Sequence, residues 1–506
     1  MKYLLKIIVL SLVLIGCKKE IQPNIIYILA DDLGYGELGV YGQNKIKTPH
    51  IDALAKTGKL FTQHYSGAPV CAPSRAIFLT GQHSGHVAIR GNDEWTSRGD
   101  VWNYEKAVND PNLEGQYPMP KNTITLGKVL QESGYKTAVI GKWGLGAPNS
   151  HSIPTKMGFD YFYGYNCQRQ AHNLYPPHLW ENETKVLLNN ELITKKDVKL
   201  LQENSHVDSL YLKFTQKDYA PILMHDKAIS FINDNASKPF FLYYASPLPH
   251  LPLQAPKKLV DEYVKIFGEE EPYFGNRSYY PTKHPRATYA AMISLLDAQV
   301  GDIIKALKEK KIYKNTIIVF TSDNGPTYPG VGGADTKYFK SAKPFQTAYG
   351  FTKGFTNEGG IRVPFIVSWP NRIKGNTRSN VVSSFYDMMP TFSELANSKV
   401  TQKTDGVSLV KAFVSEEKEN SERYLYWEFP SYGGQQAVRL GKWKGIRKNM
   451  QKGNTQLSLY NLEEDLQENI DIAKKHPEVV NKILKIMEKE HIKSANKKFQ
   501  IKAIDN

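Results

Sequence analysis

The sequence predicts an α/β protein with a large mixed, mostly parallel sheet sandwiched by helices, followed by a small C-terminal unit of antiparallel sheet plus helix. Short runs of β-branched and aromatic residues alternate with amphipathic helix patterns through most of the chain, which favours a doubly wound sheet. After about residue 400 the pattern changes to short strands separated by glycine-rich turns. Hydrophobic residues make up 41% of the 506 residues and charged residues 23%, which is typical of a folded globular protein.

Four apolar runs are predicted to be buried strands, because each ends abruptly in polar or glycine-rich sequence. They lie at residues 24–30, 136–140, 240–245 and 316–321. Helix patterns are clearest at residues 125–134 and 289–310. In the C-terminal part, three strands are predicted at 424–429, 435–440 and 443–447, and a final helix at 476–490.

The first residues carry the features of an export signal. Lys2 and Lys6 precede an apolar run over residues 7–16 that is too short to span a bilayer, and Cys17 follows directly. Residues 14–17 (Leu-Ile-Gly-Cys) resemble a bacterial lipobox. We therefore expect Cys17 to be lipidated and the protein to be exported and anchored by lipid to a bacterial membrane, in the periplasm or at the cell surface. A plain signal peptide with an incidental cysteine is the alternative.

Three regions are expected along the chain. They are the signal peptide with its lipobox cysteine at 1–17, a large domain at 22–400 and a small C-terminal subdomain at 401–506.

The chain has 65 Lys and Arg residues against 50 Asp and Glu residues, a formal net charge of +15. Such an excess can serve nucleic acid, a membrane surface or an anionic substrate. No zinc-finger spacing, basic zipper or RNA-binding aromatic motif is present in the sequence, so we expect no nucleic-acid partner.

Polar residues follow each of the four predicted strands, where ligands bind in open α/β sheets. In chain order they are Asp31 with Asp32, Lys142, His250, and Asp323 with Asn324. A solvated loop explains any one of these positions more readily than all four. Three carboxylates and an amide are hard oxygen ligands that suit Ca²⁺ or Mg²⁺, and carboxylates this close repel one another unless a cation neutralises them. A strand-end turn or a helix cap is the alternative for each pair taken alone.

Cys71 is one of three cysteines, and the residues after it predict a helix that starts close to the thiol. Pro73 and the apolar pattern that follows indicate this helix. A helix N-terminus favours an anion and lowers a thiol pKa, and Arg75 one turn on would help to hold an oxyanion. The ordinary interpretation of a lone cysteine is a small buried hydrophobe. Pairing of Cys71 with Cys167 in an oxidising compartment also stays open at this point.

Residues 71–75 (Cys-Ala-Pro-Ser-Arg), followed by Leu79-Thr80-Gly81, resemble the signature of the type I sulfatases, which belong to the alkaline phosphatase-like superfamily. Further motifs match in family order over about residues 24–370. They are Asp31-Asp32-Leu33-Gly34, Gly141-Lys142-Trp143, Ala245-Ser246 leading to His250-Leu251-Pro252, Ser322-Asp323-Asn324-Gly325, and Lys353-Gly354 with residues 358–364. The resemblance implies the alkaline phosphatase-like fold for the large domain, with the C-terminal sheet and helix as the family's small second domain.

In that family a maturase oxidises the motif cysteine to formylglycine (3-oxoalanine), so the resemblance implies that Cys71 is the precursor of the nucleophile. One hydroxyl of the hydrated aldehyde attacks sulfur and the second then expels sulfate. The resemblance also implies one metal ion, Ca²⁺ in preference to Mg²⁺, that acts as Lewis acid and template. The implied metal ligands are Asp31, Asp32, Cys71 in its modified form, Asp323 and Asn324.

The resemblance assigns the remaining catalytic and substrate-binding roles to basic side chains. Arg75, Lys142 and Lys353 would neutralise charge on the transferring group, with Lys142 and Lys353 also binding substrate. His250 would bind substrate, and either His250 or Lys353 would protonate the departing alcohol.

One position departs from the family pattern. The common form Gly-Lys-Trp-His-Leu-Gly has a histidine where this chain has Gly144, and that histidine is the usual candidate base for expelling sulfate. His172 and His86 are alternative candidates, and His172 is expected among the substrate-binding residues. A surface or structural role for either histidine is the competing interpretation.

The expected function is hydrolysis of sulfate esters on a sulfated carbohydrate or polysaccharide, which suits both a bacterial lipoprotein of this family and the basic charge. Aromatic and polar segments at 161–180, 95–104 and 435–436 are candidates for sugar-binding loops. A phosphonate or phosphodiester hydrolase of the same superfamily and a non-catalytic binding lipoprotein are the alternatives. If Cys71 is converted, Cys167 is left unpaired and no disulfide is expected.

Overall fold

A computed structural model describes residues 22–398, 402–415 and 423–505. The predicted export signal and Cys17 lie outside the described residues. The strands are β1 (Asn24–Ala30), β2 (Lys59–Phe61), β3 (His64–Tyr65), β4 (Lys136–Lys142), β5 (Tyr161–Tyr165), β6 (His178–Glu181), β7 (Thr184–Leu187), β8 (Phe240–Ala245), β9 (Thr316–Ser322), β10 (Phe365–Ser368), β11 (Thr377–Ser379), β12 (Ser383–Ser384), β13 (Tyr424–Phe429), β14 (Gln435–Leu440), β15 (Trp443–Arg447) and β16 (Leu457–Asn461). The α-helices are α1 (Pro49–Thr57), α2 (Cys71–Thr80), α3 (Tyr104–Asn109), α4 (Leu126–Glu132), α5 (Lys195–Glu203), α6 (Ala220–Asn235), α7 (Lys257–Phe267), α8 (Pro285–Glu309), α9 (Thr336–Phe339), α10 (Glu358–Ile361), α11 (Met388–Leu395), α12 (Val410–Val414), α13 (Pro477–Glu490) and α14 (Lys502–Asp505).

A ten-stranded sheet organises the larger part of the molecule, in the order β11-β2-β10-β9-β1-β8-β4-β5-β6-β7. The central strands β9, β1, β8, β4 and β5 run parallel to one another. Antiparallel pairing begins on either side, at β10 and at β6. The predicted α/β class with a mixed, mostly parallel sheet is confirmed.

Both faces of the central strands are covered, which explains why their sequences are continuous apolar runs. In β1, Ile25, Tyr27 and Leu29 point into a core that also contains side chains of α2, α4 and α11. The alternate residues of β1 enter a second core with α6 and α8. The helix layers therefore follow from apolar side chains on both faces of the same strands.

The strands β13 to β16 form a separate antiparallel sheet of four strands. Tyr426, Val438 and Leu459 pack against α13 in a small core of their own. Trp427 belongs instead to a core of the large sheet, and its Nε1 donates a hydrogen bond of 3.0 Å to the carbonyl of Ser66. The predicted small sheet and final helix are confirmed, with β16 as an additional strand. The domain boundary at residue 400 lies outside the described residues and stays a prediction.

Several sequence expectations need correction. The strand β4 continues to Lys142, so this lysine is the last strand residue rather than part of the following loop. Residues 161–180 were expected as loops, but β5 and part of β6 lie there, because the aromatic run Tyr161–Tyr165 extends the sheet beyond β4. Cys71 and Cys167 are both buried and are not joined by a disulfide. None of the described helices combines the length and the apolar character that a membrane span requires.

Candidate active site

The carboxyl ends of β9, β1, β8 and β4 lie side by side, and the polar residues predicted from the sequence meet there. In the sheet register Ala30 pairs with Ser322, and Leu29 pairs with Ala245, so the chain leaves these strands at nearly the same level. The turn after β8 is tied to the end of β1, because the Asp31 N–H donates to the Leu248 carbonyl at 2.9 Å. This turn brings His250 to the same edge of the sheet.

Cys71 is the first residue of α2, and its thiol lies among charged side chains. Its Sγ is 3.4 Å from Oδ1 of Asp31, 3.9 Å from Oδ1 of Asp32 and 3.6 Å from Nζ of Lys353. Burial raises the pKa of the Cys71 thiol well above its usual value, even though Lys142 and Lys353 act in the opposite direction. The expectation that the helix N-terminus lowers this pKa is therefore wrong, because desolvation is the larger effect. An unmodified Cys71 is a protonated thiol and a weak nucleophile.

Arg75 is completely buried and each of its guanidinium nitrogens is engaged. Nε and Nη2 donate to Oδ2 of Asp323 at 3.0 and 2.7 Å, and Nη1 donates to the Lys142 carbonyl at 2.6 Å. Nη2 also lies 3.5 Å from Oδ2 of Asp31. Arg75 is thus a fixed cation beneath the carboxylates, which holds the start of α2 against the ends of β4 and β9.

Two lysines face the two aspartates that follow β1. Nζ of Lys142 lies 2.7 Å from Oδ2 of Asp31, and both side chains are fully buried. Nζ of Lys353 lies 2.7 Å from Oδ2 of Asp32. Burial disfavours the charge on Lys353, but the acidic groups around it, with the Asp32 carboxylate as the largest contributor, together outweigh this effect and raise the pKa of Lys353 well above its usual value. Both aspartates therefore face a lysine within ion-pair distance.

The acidic residues offer oxygen atoms that fit a hard cation. Ligand atoms of Asp31, Asp32, Cys71 and His250 lie within 4.8 Å of one another. Nδ2 of Asn324 is 2.8 Å from Oδ1 of Asp32, and the buried Oδ1 of Asn324 has no hydrogen-bond partner among the described residues. Burial and the neighbouring Asp31 carboxylate raise the pKa of Asp323 to about 7. Repulsion between buried carboxylates and an unpartnered amide oxygen are the features that a bound divalent cation would relieve.

Asp32 has an uncommon backbone conformation for a residue with a side chain. Its φ of 65° lies in the left-handed region. The conformation is held by the Asp32 N–H, which donates to Oδ1 of Asp323 at 3.1 Å, and by the contacts of the Asp32 carboxylate described above. Strain of this kind is concentrated at functional sites, where the surrounding structure compensates for it.

His250 and His172 both lie at the site. Their rings stack with centroids 5.0 Å apart, and Tyr279 packs edge-on against both. Nδ1 of His250 is 2.6 Å from the Leu251 carbonyl, which can only accept, so Nδ1 carries the proton and Nε2 faces Oδ2 of Asp32 at 3.6 Å. Desolvation lowers the pKa of both imidazoles well below the usual value. Both rings are therefore expected to be neutral at neutral pH.

The position of the missing family histidine is structurally closed. Gly144 has a φ of 73°, and a Cβ there would lie 2.9 Å from Cγ of Gln168. Nε2 of Gln168 donates to Oδ1 of Asn92 at 3.1 Å, and the same oxygen accepts the Ala72 N–H at 2.9 Å. Gln168, which lies in the segment 161–180 predicted to bind sugar, and Asn92, which the sequence did not indicate, thus pack beside the start of α2. Both lie in irregular segments without a periodic pattern or a motif.

His86 lies in a different cluster. Its Nδ1 is 2.8 Å from Oδ2 of Asp405, and its ring stacks on His83 with centroids 4.1 Å apart. Nε2 of His83 is in turn 3.0 Å from Oε2 of Glu490. This cluster joins the loop after α2 to the end of α13, and the structure does not support His86 as the substitute base.

The site opens into a cavity of about 1140 Å³ whose floor includes Asp32, His172 and Lys353. The segment 95–104, predicted as a sugar-binding loop, contributes Trp102, Asn103 and Tyr104 to its wall. Gln435 and Gln436 do not line this cavity, because both are buried and the amide of Gln435 bonds with the backbone of Gly354 and Thr356. The neighbouring Tyr432 lines it instead.

A cysteine at a helix start, paired acidic residues and buried lysines at the carboxyl ends of a mostly parallel sheet define a hydrolase of the alkaline phosphatase-like superfamily. The family model described as Sulfatase matches residues 23–398, and the model described as N-sulphoglucosamine sulphohydrolase, C-terminal, matches residues 348–499. The chain therefore belongs to the sulfatase family, as a type I sulfatase, and is a sulfuric ester hydrolase. Sulfatases are metal-dependent, and the buried acidic cluster offers room for one ion.

Two proteins named as sulfatases and one solved structure are similar to this chain over most of its length. The N-acetylgalactosamine-6-sulfatase of Canis lupus familiaris is 30% identical over 450 residues, covering 87% of this chain and 74% of that protein. The N-acetylgalactosamine-6-O-sulfatase of Bacteroides thetaiotaomicron is 28% identical over 538 residues, covering 94% of this chain and 96% of that protein. The crystal structure of Ps i-CgsB superposes with a TM-score of 0.71 at 28% identity and covers 92% of each chain.

Proposed function

We propose that the protein hydrolyses sulfate esters of a sulfated carbohydrate, with a formylglycine made from Cys71 and a bound Ca²⁺ ion. The observation that carries the proposal is the position of Cys71 between Lys353 and the carboxylates of Asp31 and Asp32. The similar proteins support the substrate class, since two are named N-acetylgalactosamine sulfatases and Ps i-CgsB has also been solved with k-i-k-neocarrahexaose.

The burial of Cys71 supports its conversion and limits when it can happen. The side chain is completely inaccessible in the folded chain, so an oxidising maturase would have to reach it before folding is complete. The hydrated aldehyde supplies one hydroxyl that attacks sulfur and a second that allows sulfate to be released. A maturase is therefore a required partner.

The acidic residues would hold the cation, and the lysines would hold the sulfate group. Asp31, Asp32, Asp323, Asn324 and residue 71 would ligate Ca²⁺, which supplies positive charge to the sulfate oxygens as a Lewis acid. Lys142 and Lys353 lie on opposite sides of the aspartate pair and would neutralise the transferring group. Arg75, whose donors all face Asp323, Asp31 and the Lys142 carbonyl, would balance the carboxylates and keep α2 in place.

His250 and Lys353 would handle the protons. Lys353 stays charged beside Asp32 and is 3.6 Å from Sγ of residue 71, so it would protonate the oxygen of the departing alcohol. His250 lies within 4.8 Å of that sulfur with the lone pair of Nε2 toward the site, so it would accept the proton when sulfate is expelled. His172 would orient His250 by stacking. In this assignment His250 takes the role of the histidine that is absent at Gly144.

Mass spectrometry of the peptide that carries residue 71, from protein produced with its maturase, tests the proposal. We expect the sulfur to be replaced by an aldehyde oxygen, and an unmodified thiol in active enzyme would contradict the mechanism. Rates on matched sulfate and phosphate esters separate the alternatives. Preference for phosphodiesters or phosphonates would favour the related hydrolase class, and a converted protein that turns over neither ester would favour a binding role.

The export proposal rests on Lys2, Lys6 and the apolar run over residues 7–16, and the anchoring proposal rests on residues 14–17. Exchange of Cys17 for serine should move the protein from the membrane fraction to the soluble fraction of the producing bacterium. A wild-type protein that is already in the soluble fraction would contradict lipid anchoring.

A further inference from the structure

We propose that the cavity carries a second anion-binding subsite, formed by Arg169, Lys195 and Arg277, which holds a further sulfate or carboxylate group of the same polysaccharide chain. The inference rests on the proposed function and deepens it, because it identifies the substrate as a chain with several anionic groups. A sugar with a single sulfate would occupy the site at Cys71 and leave this subsite empty.

The wall of the cavity has an excess of positive charge. Its basic residues beyond Lys353 are Arg169, Lys195, Lys199 and Arg277. The acidic residues of the lining are Asp32, which is paired with Lys353 at 2.7 Å, and Glu105, which accepts the backbone N–H of Lys195 at 3.3 Å. Two carboxylates and five basic side chains thus line the cavity, which gives its wall a net positive charge that attracts anions.

Three of these basic side chains are available for a ligand. Neither Lys195 nor Arg277 has an ion-pair partner among the described residues, and Arg277 is exposed. Lys199 is different, because it lies 3.6 Å from Glu203 on the next turn of α5. The subsite is therefore assigned to Lys195 and the arginines rather than to Lys199.

Arg169 is held in place and still has hydrogen-bonding capacity. Its guanidinium lies over the Trp102 ring, 5.3 Å from the centroid, and Nη2 donates to the Trp102 carbonyl. Nε of Arg169 is buried and has no hydrogen-bond partner in the part of the chain that the structure describes. A guanidinium with a fixed orientation suits the planar recognition of sulfate or carboxylate groups.

The size and aromatic surface of the cavity fit more than one sugar. Its volume of about 1140 Å³ exceeds the range of about 300–1,000 Å³ that is usual for small-molecule sites. Trp102 and Tyr432 are 54% and 46% exposed, although both line the cavity. Exposed aromatic faces beside cations suit sugar rings that carry anionic substituents. A polysaccharide that enters this cavity would place the sugars next to the reacting one between the catalytic residues and the basic side chains of the cavity wall.

Steady-state kinetics on two kinds of substrate test the subsite. The probes are 4-nitrophenyl sulfate, which has one sulfate, and carrageenan-derived oligosaccharides, which have several. We expect Arg277→Ala and Lys195→Ala to lower kcat/KM on the oligosaccharides about 10- to 100-fold more than on the aryl sulfate, mainly through KM. Arg378→Ala, on the exposed edge strand β11 outside the cavity, is the matched control and should change neither rate.

Direct binding gives a second readout that does not depend on turnover. In a Cys71→Ala background, calorimetry with the same oligosaccharides should show weaker binding when Arg277→Ala is added, and the loss should shrink at high salt. Equal losses on both substrates, or unchanged binding, would overturn the subsite while leaving the sulfatase function intact. Failure of the wild-type, converted enzyme to turn over either sulfate ester would instead contradict the proposed function.

Discussion

The guanidinium of Arg75 lies 2.7 Å from Oδ2 of Asp323, and both side chains are completely buried. The pair joins α2, which begins at Cys71, to the end of β9, which supplies two of the expected cation ligands. A charge buried without its partner is strongly unfavourable, whereas a paired and hydrogen-bonded charge is tolerated. The nucleophile and the metal ligands are therefore positioned by the same contact.

Arg75→Lys should damage both stability and activity. Lysine cannot reproduce the donors from Nε and Nη2 to Asp323 together with the bond from Nη1 to the Lys142 carbonyl. We expect a loss of about 3–5 kcal/mol in unfolding free energy and at least about 100-fold in kcat/KM. Arg286→Lys is the control. The side chain of Arg286, which pairs with Asp335, is 40% exposed, so this substitution should change the unfolding free energy by less than about 1 kcal/mol. Similar losses for both variants would contradict the special role of Arg75.

The two buried cysteines should respond differently to substitution. Cys71→Ala removes the precursor of the nucleophile, so turnover of any sulfate ester should disappear. Cys167 accepts the Gln116 N–H at 3.4 Å and is not among the side chains around Asp31 and Asp32, so Cys167→Ala should retain activity at a stability cost of about 1–2 kcal/mol. Initial rates and thermal unfolding of both variants check this. Residual turnover in Cys71→Ala would show that another group can attack sulfur.

The sequence predicted the positions of those site residues that lie at the ends of regular strands. Asp31, Lys142 and Asp323 lie at the carboxyl ends of strands whose sequences are continuous apolar runs. Neighbouring parallel strands bring such ends together. The sequence could not show which lysine pairs with which aspartate, since that depends on how residue 353 reaches the sheet. It also misjudged the thiol pKa of Cys71, because the depth of burial is a tertiary property.

The residues around the site that the sequence did not indicate lie in irregular segments. Asn92 and Arg277 have neither periodicity nor a motif around them, and their positions depend on how loops from distant parts of the chain pack. Gly144 is a partial exception. The family resemblance marked it as a departure, but only its contact with Gln168 explains why a histidine does not fit there.

Gly144→Ala should therefore destabilise the protein, and part of the loss should depend on Gln168. The left-handed φ of 73° accounts for about 1–2 kcal/mol, and the contact of 2.9 Å between the new Cβ and Gln168 adds to it. In the double variant with Gln168→Ala, the contact disappears while the backbone strain remains. Unfolding free energies of the two single variants and the double variant measure the coupling, and strictly additive losses would contradict the proposed contact.

Removal of the metal should abolish activity and lower stability. We expect a chelator to inactivate the enzyme and Ca²⁺ to restore it, because Asp31, Asp32, Asp323 and Asn324 offer the oxygen ligands that such a cation prefers. A ligand whose free concentration is about 100 times its dissociation constant adds about 2.7 kcal/mol to the unfolding free energy, so the unfolding temperature should rise with the Ca²⁺ concentration. Asp323→Asn should lose this rise. Asp297→Asn, at a buried carboxylate that binds the start of α1, should keep it, and full activity in metal-free enzyme would contradict the metal site.

The ion pair between Glu358 and Lys444 should make stability depend on pH in the acid range. Nζ of Lys444, on β15 of the small sheet, lies 2.8 Å from Oε1 of Glu358 on α10, and both are fully buried. Burial disfavours the Glu358 carboxylate, but the charges of Lys444 and Arg362 outweigh it and lower the pKa of Glu358 from 4.5 to about 2. Because the pKa is lower in the folded protein, the stabilisation is present above about pH 4.5 and is lost as the pH falls through about 2.

Glu358→Gln tests this dependence. The variant should lose about 1–3 kcal/mol of unfolding free energy at neutral pH, because Arg362 and Lys444 lose a buried carboxylate and Lys444 keeps Glu468 at 3.5 Å. It should also lack the part of the acid destabilisation that the wild-type protein owes to Glu358. Denaturant unfolding at a series of pH values measures both effects. Asp261→Asn is the control, because its pair with Lys257 is exposed on the surface of α7 and should leave the pH profile unchanged. If Glu358→Gln has the same pH profile as the wild-type protein, Glu358 does not contribute to the loss of stability in acid.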